Sequence, residues 1–433
     1  MIERYTRKRM GALWTDKAKL ERWLKVELAV CEAMAQLGII PAKALTQLRK
    51  AKVDPLRIAK IEEETRHDVA AFVQYIQQQV GTVGKFFHYG LTSSDVLDTA
   101  FALQLVEASE ILRDDLNQAS QVIKEKAEEY KKTPMIGRSH GVHAEPITFG
   151  LVLASWFAEI KRNISRMERA REGIRYGKIS GVVGTYGNID PRIEKIALAK
   201  LNLNIEPVST QVVPRDRHAE YFTTLAVIAG GVERIAVELR HLQRTEVREA
   251  EESFGKKQKG SSAMPHKKNP ISAENLSGLA RIIRANAVAA LENVALWHQR
   301  DISHSSVERI IAPDSTIALD YMLNRLKNVI INLEVFPDKM ATNLELTRGL
   351  IYSEAVMLAL IDKGLTRDEA YRAVQRNALE VWENSSLNFK DKVKKDPIIS
   401  KRLAEKTIDK CFDLEHHLRH VDLIFERVFN SDA

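Results

Sequence analysis

The stretch Val96–Gln118, VLDTAFALQLVEASEILRDDLNQ, decides the fold. Its apolar residues recur every three or four positions, the spacing that keeps one face of an α-helix apolar. The run TSSD at Thr92–Asp95 comes just before it and supplies the side chains that cap a helix start. No Gly or Pro interrupts the chain from Val96 to Thr133. The pattern therefore predicts one helix of roughly 50 Å, at ~1.5 Å per residue.

Similar segments are expected from about Ile147 to Arg175, His218 to Ser253, Ser272 to Asp301 and Ser315 to Val335. Almost no strand-like alternation separates them, so a long helix bundle is the natural arrangement. Residues 1–92 read as shorter helices, one of them from about Asp16 to Leu37 and stopped by Gly38 and Pro41. Residues 342–433 return to shorter helices such as RDEAYRAVQRNALEVW. An all-α chain of three helical domains follows: 1–92, a central bundle 93–341 that carries the polar loops, and 342–433. Long bundles expose wide apolar stripes, which favours a homo-oligomer.

Composition sets the outer bounds. At 433 residues and 45% hydrophobic the chain can bury a sizeable core, and 20 glycines with 12 prolines are too few for many short strands and turns. The net charge of +7 suits a nucleic-acid binder or an enzyme for polyanionic small molecules, and charge alone does not choose. Cys31 and Cys411 give no disulfide framework, so a reducing compartment is expected. The opening MIERYTRKRM has no signal-like apolar region, and no uncharged apolar run reaches ~18 residues. A soluble cytoplasmic protein without a membrane partner is the expectation.

The residues that look chemical cluster in the breaks between helices: TRHDVAAF at 65–72, HYGLTSSD at 88–95, GRSHGVHAEP at 137–146, STQVVPRDRH at 209–218, GSSAMPHKKNP at 260–270 and RDISHSSVER at 300–309. His140 and His143 could suit a metal by spacing, but Gly141 and Pro146 argue against a helix holding both on one face, and no cysteine or HExxH accompanies them. Acid/base work and plain backbone-bonded histidines both remain open there. In LEHHLRH, His416 and His420 read as a solvated helix face. The glycines of GKISGVVGTYGN lack GxGxxG spacing and a preceding strand, so tight turns and close backbone approach explain them better than a nucleotide fingerprint.

Gly255 and Gly260 give GxxxxG, yet Ser261 stands where a P-loop needs Lys, and a helix precedes it in place of a strand. What remains is a glycine-hinged, lysine-rich loop leading to a helix start near Ser272. Such a loop can be a solvated connector, but Met and two prolines in MPHKKNP do little for solubility. The chemistry that needs it is removal of a weakly acidic carbon-bound proton beside a carboxylate, where fixed cations and N–H groups stabilise the carbanion. A serine near Lys267, Lys268 and a helix N-terminus ionises more easily than in water. Ser261 would then be a base, and His140 a candidate acid for the leaving group.

GSSAMPHKKNP resembles the signature loop of the fumarase/aspartase superfamily, whose members eliminate fumarate from succinyl compounds and use a three-domain helical layout with a long central bundle. Within it, TRHDV, HYGLTSSDV, GRSHGVHAEP and RDISHSSVER together resemble the adenylosuccinate lyase family, over essentially the whole chain. The resemblance implies conversion of adenylosuccinate to AMP and of SAICAR to AICAR, each with release of fumarate in purine biosynthesis. It implies a homotetramer whose sites draw on three chains, with no metal and no organic cofactor. By the same resemblance Ser261 is the general base and His140 the general acid, with His67 close by, orienting His140 or binding substrate. Lys267 and Asn269 would hold the succinyl carboxylate, helped by Thr92 and Ser93. Arg4 and Tyr5 match nucleotide-binding positions. Arg66, Asp68, His88, Gln211, Ser262, Asn275, Arg300, Ser305 and Arg309 match other substrate-contacting positions, the arginines suited to phosphate by their planar fork. Ser262 could also reach substrate, so the choice of Ser261 as base rests on the motif.

Two rivals stand beside this reading. Argininosuccinate lyase would keep Ser261 and His140 but bind a guanidinium compound without phosphate. A non-catalytic nucleic-acid binder would need a basic stripe, whereas bases and acids interleave here, as in HLQRTEVREAEESFGKKQK. No nucleic-acid partner is therefore expected.

Overall fold

Ser93–Glu129 forms one uninterrupted helix, as its period predicts. Asp95 fixes its start: one carboxylate oxygen accepts the Thr92 N–H at 2.8 Å, satisfying a donor that the first turn leaves without a partner. The other long helices are Phe149–Ile174, Asp216–Leu242, Ile271–Glu292 and Ser303–Ile331. The fold is all-α, and the computed structural model describes residues 1–255 and 263–430 of it.

Three of these helices differ from the sequence expectation, one of them, Ile271–Glu292, by ending short of Asp301. The helix from Asp216 stops at Leu242, short of Ser253, because the chain turns through Arg248 in a left-handed conformation and pairs Ala250–Glu251 with Glu334–Val335. That pairing is a tertiary contact no local period reveals. The last long helix starts at Ser303 instead of Ser315, with Pro313 inside it. Asp301 caps its start by accepting the Ser303 N–H at 2.8 Å, and packing on both sides of Pro313 outweighs the lost backbone bond. The C-terminal LEHHLRH is likewise broken: the helix Leu414–Leu418 ends before Arg419, and His420 precedes the next helix, Val421–Phe429. His416 and His420 thus do not share one helix face.

The described chain divides into two compact units. The first comprises Met1–Ala119, Arg162–Arg234 and Asn275–Leu326. Its core sets the helix Asp16–Gln36 against Pro191–Leu201, and Trp23 stacks edge-on against Phe72, which in turn meets Phe87 at 5.8 Å. Gly184 (φ +81°) closes this unit tightly, since a Cβ there would lie 2.3 Å from the Ser209 carbonyl oxygen. The glycine-rich segment is therefore used for close backbone approach.

The second unit comprises Ser120–Lys161, Ile235–Glu274 and Lys327–Ala433. Its C-terminal helices bury Val356, Leu360, Val374, Val381 and Phe389 together, and a capping box of Thr366 and Glu369 starts the helix Arg367–Glu383. It also contains an antiparallel hairpin of Pro134–Ser139 with Val142–Thr148, which packs against the helix Pro337–Leu344. The sequence reading did not foresee this hairpin.

Candidate active site

In the first unit, Arg66 ends the helix Pro55–Thr65 in a left-handed conformation and His67 caps the next helix, Asp68–Val80. His67 Nδ1 accepts the Ala70 N–H at 3.3 Å, so in the neutral ring the proton sits on Nε2, the nitrogen left to face a ligand. Asp68 accepts from Arg309 at 2.7 Å, which joins TRHDV to RDISHSSVER. Arg300 donates to the Gln211 side chain at 3.1 Å. At the start of the chain, the Asn275 amide donates to the Tyr5 hydroxyl at 3.4 Å, and the Tyr5 ring meets Tyr321 edge-on at 5.1 Å. Arg4 beside it is exposed.

His88 stands just before the Thr92–Asp95 turn with a left-handed backbone (φ 63°). The fully buried Glu27 takes its ring Nδ1 at 2.6 Å and its backbone N–H at 3.1 Å. Burial opposes charge on the imidazole, but the Glu27 hydrogen bond and carboxylate outweigh it and raise the His88 pKa. Thr92 and Ser93 remain partly exposed at the helix start.

Behind Arg300 and Arg309 lies a buried ionic cluster. Arg215 donates to Asp98 at 2.7 and 2.9 Å and stands 3.0 Å from Glu308. Burial raises the Glu308 carboxyl to about 7, with Arg215 opposing, whereas Arg215 holds Asp98 down at about 2 against its own burial. Burial and then Arg215 push His218 down to about 3 and His304 to about 4, so both rings are neutral, and His218 stacks on Phe101 at 5.4 Å. A cavity of about 370 Å³ opens beside the cluster, lined by Arg300, Ser305 and Arg309 on one side and by Trp14, Trp23 and Phe101 on another. Cations next to aromatic walls suit a planar anionic ligand.

The Glu308 shift makes a stability prediction with a definite sign. A carboxyl raised from its ordinary 4.5 to about 7 contributes stability below about 4.5 that is lost as pH rises through about 7. Glu308→Gln keeps a neutral side chain at every pH. Its unfolding free energy, measured relative to the parent, is expected to rise between pH 5 and pH 8. A difference that stays constant across that range would contradict the assignment.

In the second unit, Ser139 and Val142 are partners across the hairpin, and His140 (φ 54°) and Gly141 (φ 78°) form its two-residue turn. Positive φ at both central positions is the turn type whose twist matches paired strands. His140 is thereby displayed at an exposed tip. The hairpin is anchored below it: Arg138 makes a two-pronged bond to the fully buried Glu249, both at 2.8 Å, and Asn343 donates to the same carboxylate at 2.8 Å. His143 stands opposite Arg138 across the strands, and burial, then Arg138, lower its pKa.

Ser261 and Ser262 lie outside the described residues. Past them, Lys267 is exposed and Asn269 half-buried, while Lys268 pairs with Glu251 at 2.5 Å. Glu252 accepts the Ser272 and Ala273 N–H groups at 3.0 and 2.7 Å, so a carboxylate already occupies the start of the helix Ile271–Glu292. The expected help from that helix end is therefore partly neutralised, which leaves more of the charge stabilisation to Lys267. His140, Lys267 and Asn269 belong to the second unit; His67, His88, Thr92, Ser93, Gln211, Asn275, Arg300, Ser305 and Arg309 belong to the first.

A family model described as lyase matches residues 3–284, and another described as adenylosuccinate lyase C-terminus matches residues 349–428. The adenylosuccinate lyase of Bacillus subtilis (strain 168) is 55% identical over 429 residues, covering 99% of each chain. That of Thermotoga maritima is 55% identical over 428 residues with the same coverage. The chain belongs to the adenylosuccinate lyase family. Among solved structures, a fumarate lyase from Mesorhizobium sp. BNC1 superposes with a TM-score of 0.90 at 26% identity, covering all of both chains. A 3-carboxy-cis,cis-muconate lactonizing enzyme from Pseudomonas putida shares the fold, at TM-score 0.88 and 24% identity over 98% of this chain and 96% of that one.

Within this lyase framework, the supporting residues are ones the reading of the motifs did not single out, although Arg215 and Glu308 stand inside STQVVPRDRH and RDISHSSVER. Glu249, Glu27, Asp98, Arg215 and Glu308 sit behind the displayed side chains, and each is a charge in an apolar setting. One signal was available: Asp98 interrupts the apolar face of Val96–Gln118, and Asp95 stands three residues before it. Buried carboxylates need partners, so such a pair points to tertiary ion pairs.

Proposed function

We propose that this chain catalyses β-elimination of fumarate from adenylosuccinate, leaving AMP, and from SAICAR, leaving AICAR. Membership of the adenylosuccinate lyase family across 99% of the chain carries the reading. The Ser261 oxygen takes the Cβ proton of the succinyl group. The electron pair released becomes the C=C bond of fumarate as the C–N bond breaks, and His140 gives its proton to the departing nitrogen. Negative charge builds on the neighbouring carboxylate in the transition state, where Lys267 and Asn269, with Thr92 and Ser93, stabilise it. His67 is assigned to orient His140 or bind substrate, and the proton on its Nε2 makes that nitrogen the donor. Arg300, Ser305 and Arg309 form the phosphate cradle. Asp68, which pairs with Arg309, holds that guanidinium in place until the phosphate arrives. Arg4, Tyr5, Arg66, His88, Gln211, Ser262 and Asn275 complete the substrate contacts.

No metal or organic cofactor enters this scheme. A homotetramer with sites shared among chains fits the exposed apolar row Ile282, Ala285, Val288 and Leu291, which recurs every three residues along Ile271–Glu292. The three-part division into 1–92, 93–341 and 342–433 belongs to the same reading. Among the described residues no helix is long and apolar enough to cross a membrane. The cytoplasmic location proposed here follows from the proposed purine-biosynthetic reaction.

The test is direct. Purified protein is incubated with adenylosuccinate and, separately, with argininosuccinate, and fumarate release is followed with no added metal. Release from adenylosuccinate alone is expected. Release from argininosuccinate would overturn the substrate, and none from either would overturn the activity. For the shared site, inactive Ser261→Ala and His140→Asn proteins are mixed after reversible dissociation. Partial recovery of activity is expected, and no recovery despite proven subunit exchange would rule the arrangement out.

A further inference from the structure

The Thr92–Asp95 turn is held by a buried ion pair that no motif identifies. Lys178 and Asp95 are both fully buried, and the Lys178 ammonium donates to Asp95 Oδ1. The same oxygen accepts the Ser180 N–H at 3.1 Å and the Gly181 N–H at 3.2 Å, while Oδ2 accepts the Thr92 N–H at 2.8 Å. Lys178 also donates to the Gly181 carbonyl at 3.1 Å. Its backbone is locked to the same helix: its N–H donates to Thr99 Oγ1 at 3.1 Å, and the Thr99 hydroxyl donates back to its carbonyl at 3.0 Å. Two residues on, Ser180 and Ser209 share a hydroxyl hydrogen bond of 2.8 Å, and Gly184 brings the loop against Ser209. One carboxylate thus joins the substrate-facing turn, the glycine-rich loop and the segment that leads to Gln211.

A buried lysine and aspartate are a costly way to obtain stability, since apolar residues of similar size often serve as well. What the pair supplies is geometry. The ammonium balances the charge that lets one carboxylate accept three backbone N–H groups, and those bonds fix Thr92 and Ser93 relative to Gln211. We propose that Lys178 is a positioning residue for the lyase reaction, acting through Asp95 on the Thr92–Ser93 turn. It touches no ligand, because it has no exposed surface. The inference rests on the reading of Thr92 and Ser93 as substrate contacts.

The test is a double-mutant cycle on kcat/KM for adenylosuccinate in the full-length enzyme. Lys178→Met with Asp95→Asn removes both charges and leaves none unpaired, and Ser93→Ala removes the presented hydroxyl. The paired substitution is expected to lower kcat/KM at least tenfold. Adding Ser93→Ala to it should cost far less than Ser93→Ala costs alone, because a displaced turn no longer uses that hydroxyl. Fully additive losses would reduce Lys178 to a structural role and overturn the proposal. No effect of Ser93→Ala in the parent would instead refute the substrate reading of the turn. Gly181→Ala guards against failure of the paired variant to fold. Its Cβ meets no atom within 4 Å, so it only strains a left-handed backbone (φ +81°) at the hub without burying a charge. A threefold or greater fall in kcat/KM, again non-additive with Ser93→Ala, is expected for it, and unchanged kinetics would overturn the proposal independently.

Discussion

Replacing His140 by asparagine is expected to lower kcat for adenylosuccinate about 10²–10⁴-fold, the range a positioned general acid contributes. The side chain stands at an exposed hairpin tip with φ 54°, a conformation asparagine tolerates nearly as well as histidine. His140→Asn therefore deletes the acid while the turn stays in place, and Arg138 and Glu249 still anchor the strands below it. His140→Ala should lose the same turnover and in addition about 1–2 kcal/mol of local stability, because a Cβ without a polar group is disfavoured there. Ser261→Ala is expected to fall in the same kinetic range. Steady-state rates on folded oligomers decide the matter. Near-normal kcat in His140→Asn would remove it as the acid, and near-normal kcat in Ser261→Ala would pass the base role to Ser262 or another group.

The largest expected effect on stability is at Arg215. This guanidinium is almost fully buried between Asp98 and Glu308, and among the described residues no other arginine or lysine pairs with either carboxylate. Arg215→Met leaves both acids in a low-dielectric site without their counter-charge, and breaking a buried pair in this way costs about 3–5 kcal/mol. Acid should soften the loss, since protonation discharges the abandoned carboxylates. The penalty is therefore expected to be greater at pH 8 than at pH 5, and smaller when Glu308→Gln is added. Denaturant titration of the variants against the parent measures it. A loss below about 1 kcal/mol at pH 8 would mean that the cluster is not the electrostatic support of the wall carrying Arg300 and Arg309.

Much of the molecule is written locally. The helix Ser93–Glu129 follows from apolar period and the lack of Gly and Pro, and the polar motifs stand out because they interrupt such periods. Amphipathic spacing acts within a few turns of one chain segment, so it is legible residue by residue. The boundary errors have the same origin. Leu242 ends its helix because Glu249 and Ala250 are engaged by distant partners, and Pro313 continues one because packing holds it.

The helical class and the lyase family were legible in the chain alone, and so were the polar motifs proposed to meet substrate, because each resides in a short pattern with its own chemistry. Only the tertiary structure decided how those side chains are held. His140 is presented by a hairpin pinned through Glu249, His88 is tuned by Glu27, and the Thr92–Ser93 turn is fixed by Lys178 through Asp95. In each case a carboxylate shielded from water accepts several donors, and it is stable only where residues far apart in the chain bring those donors to it. That pairing is a property of the packed fold, and no window of sequence contains it.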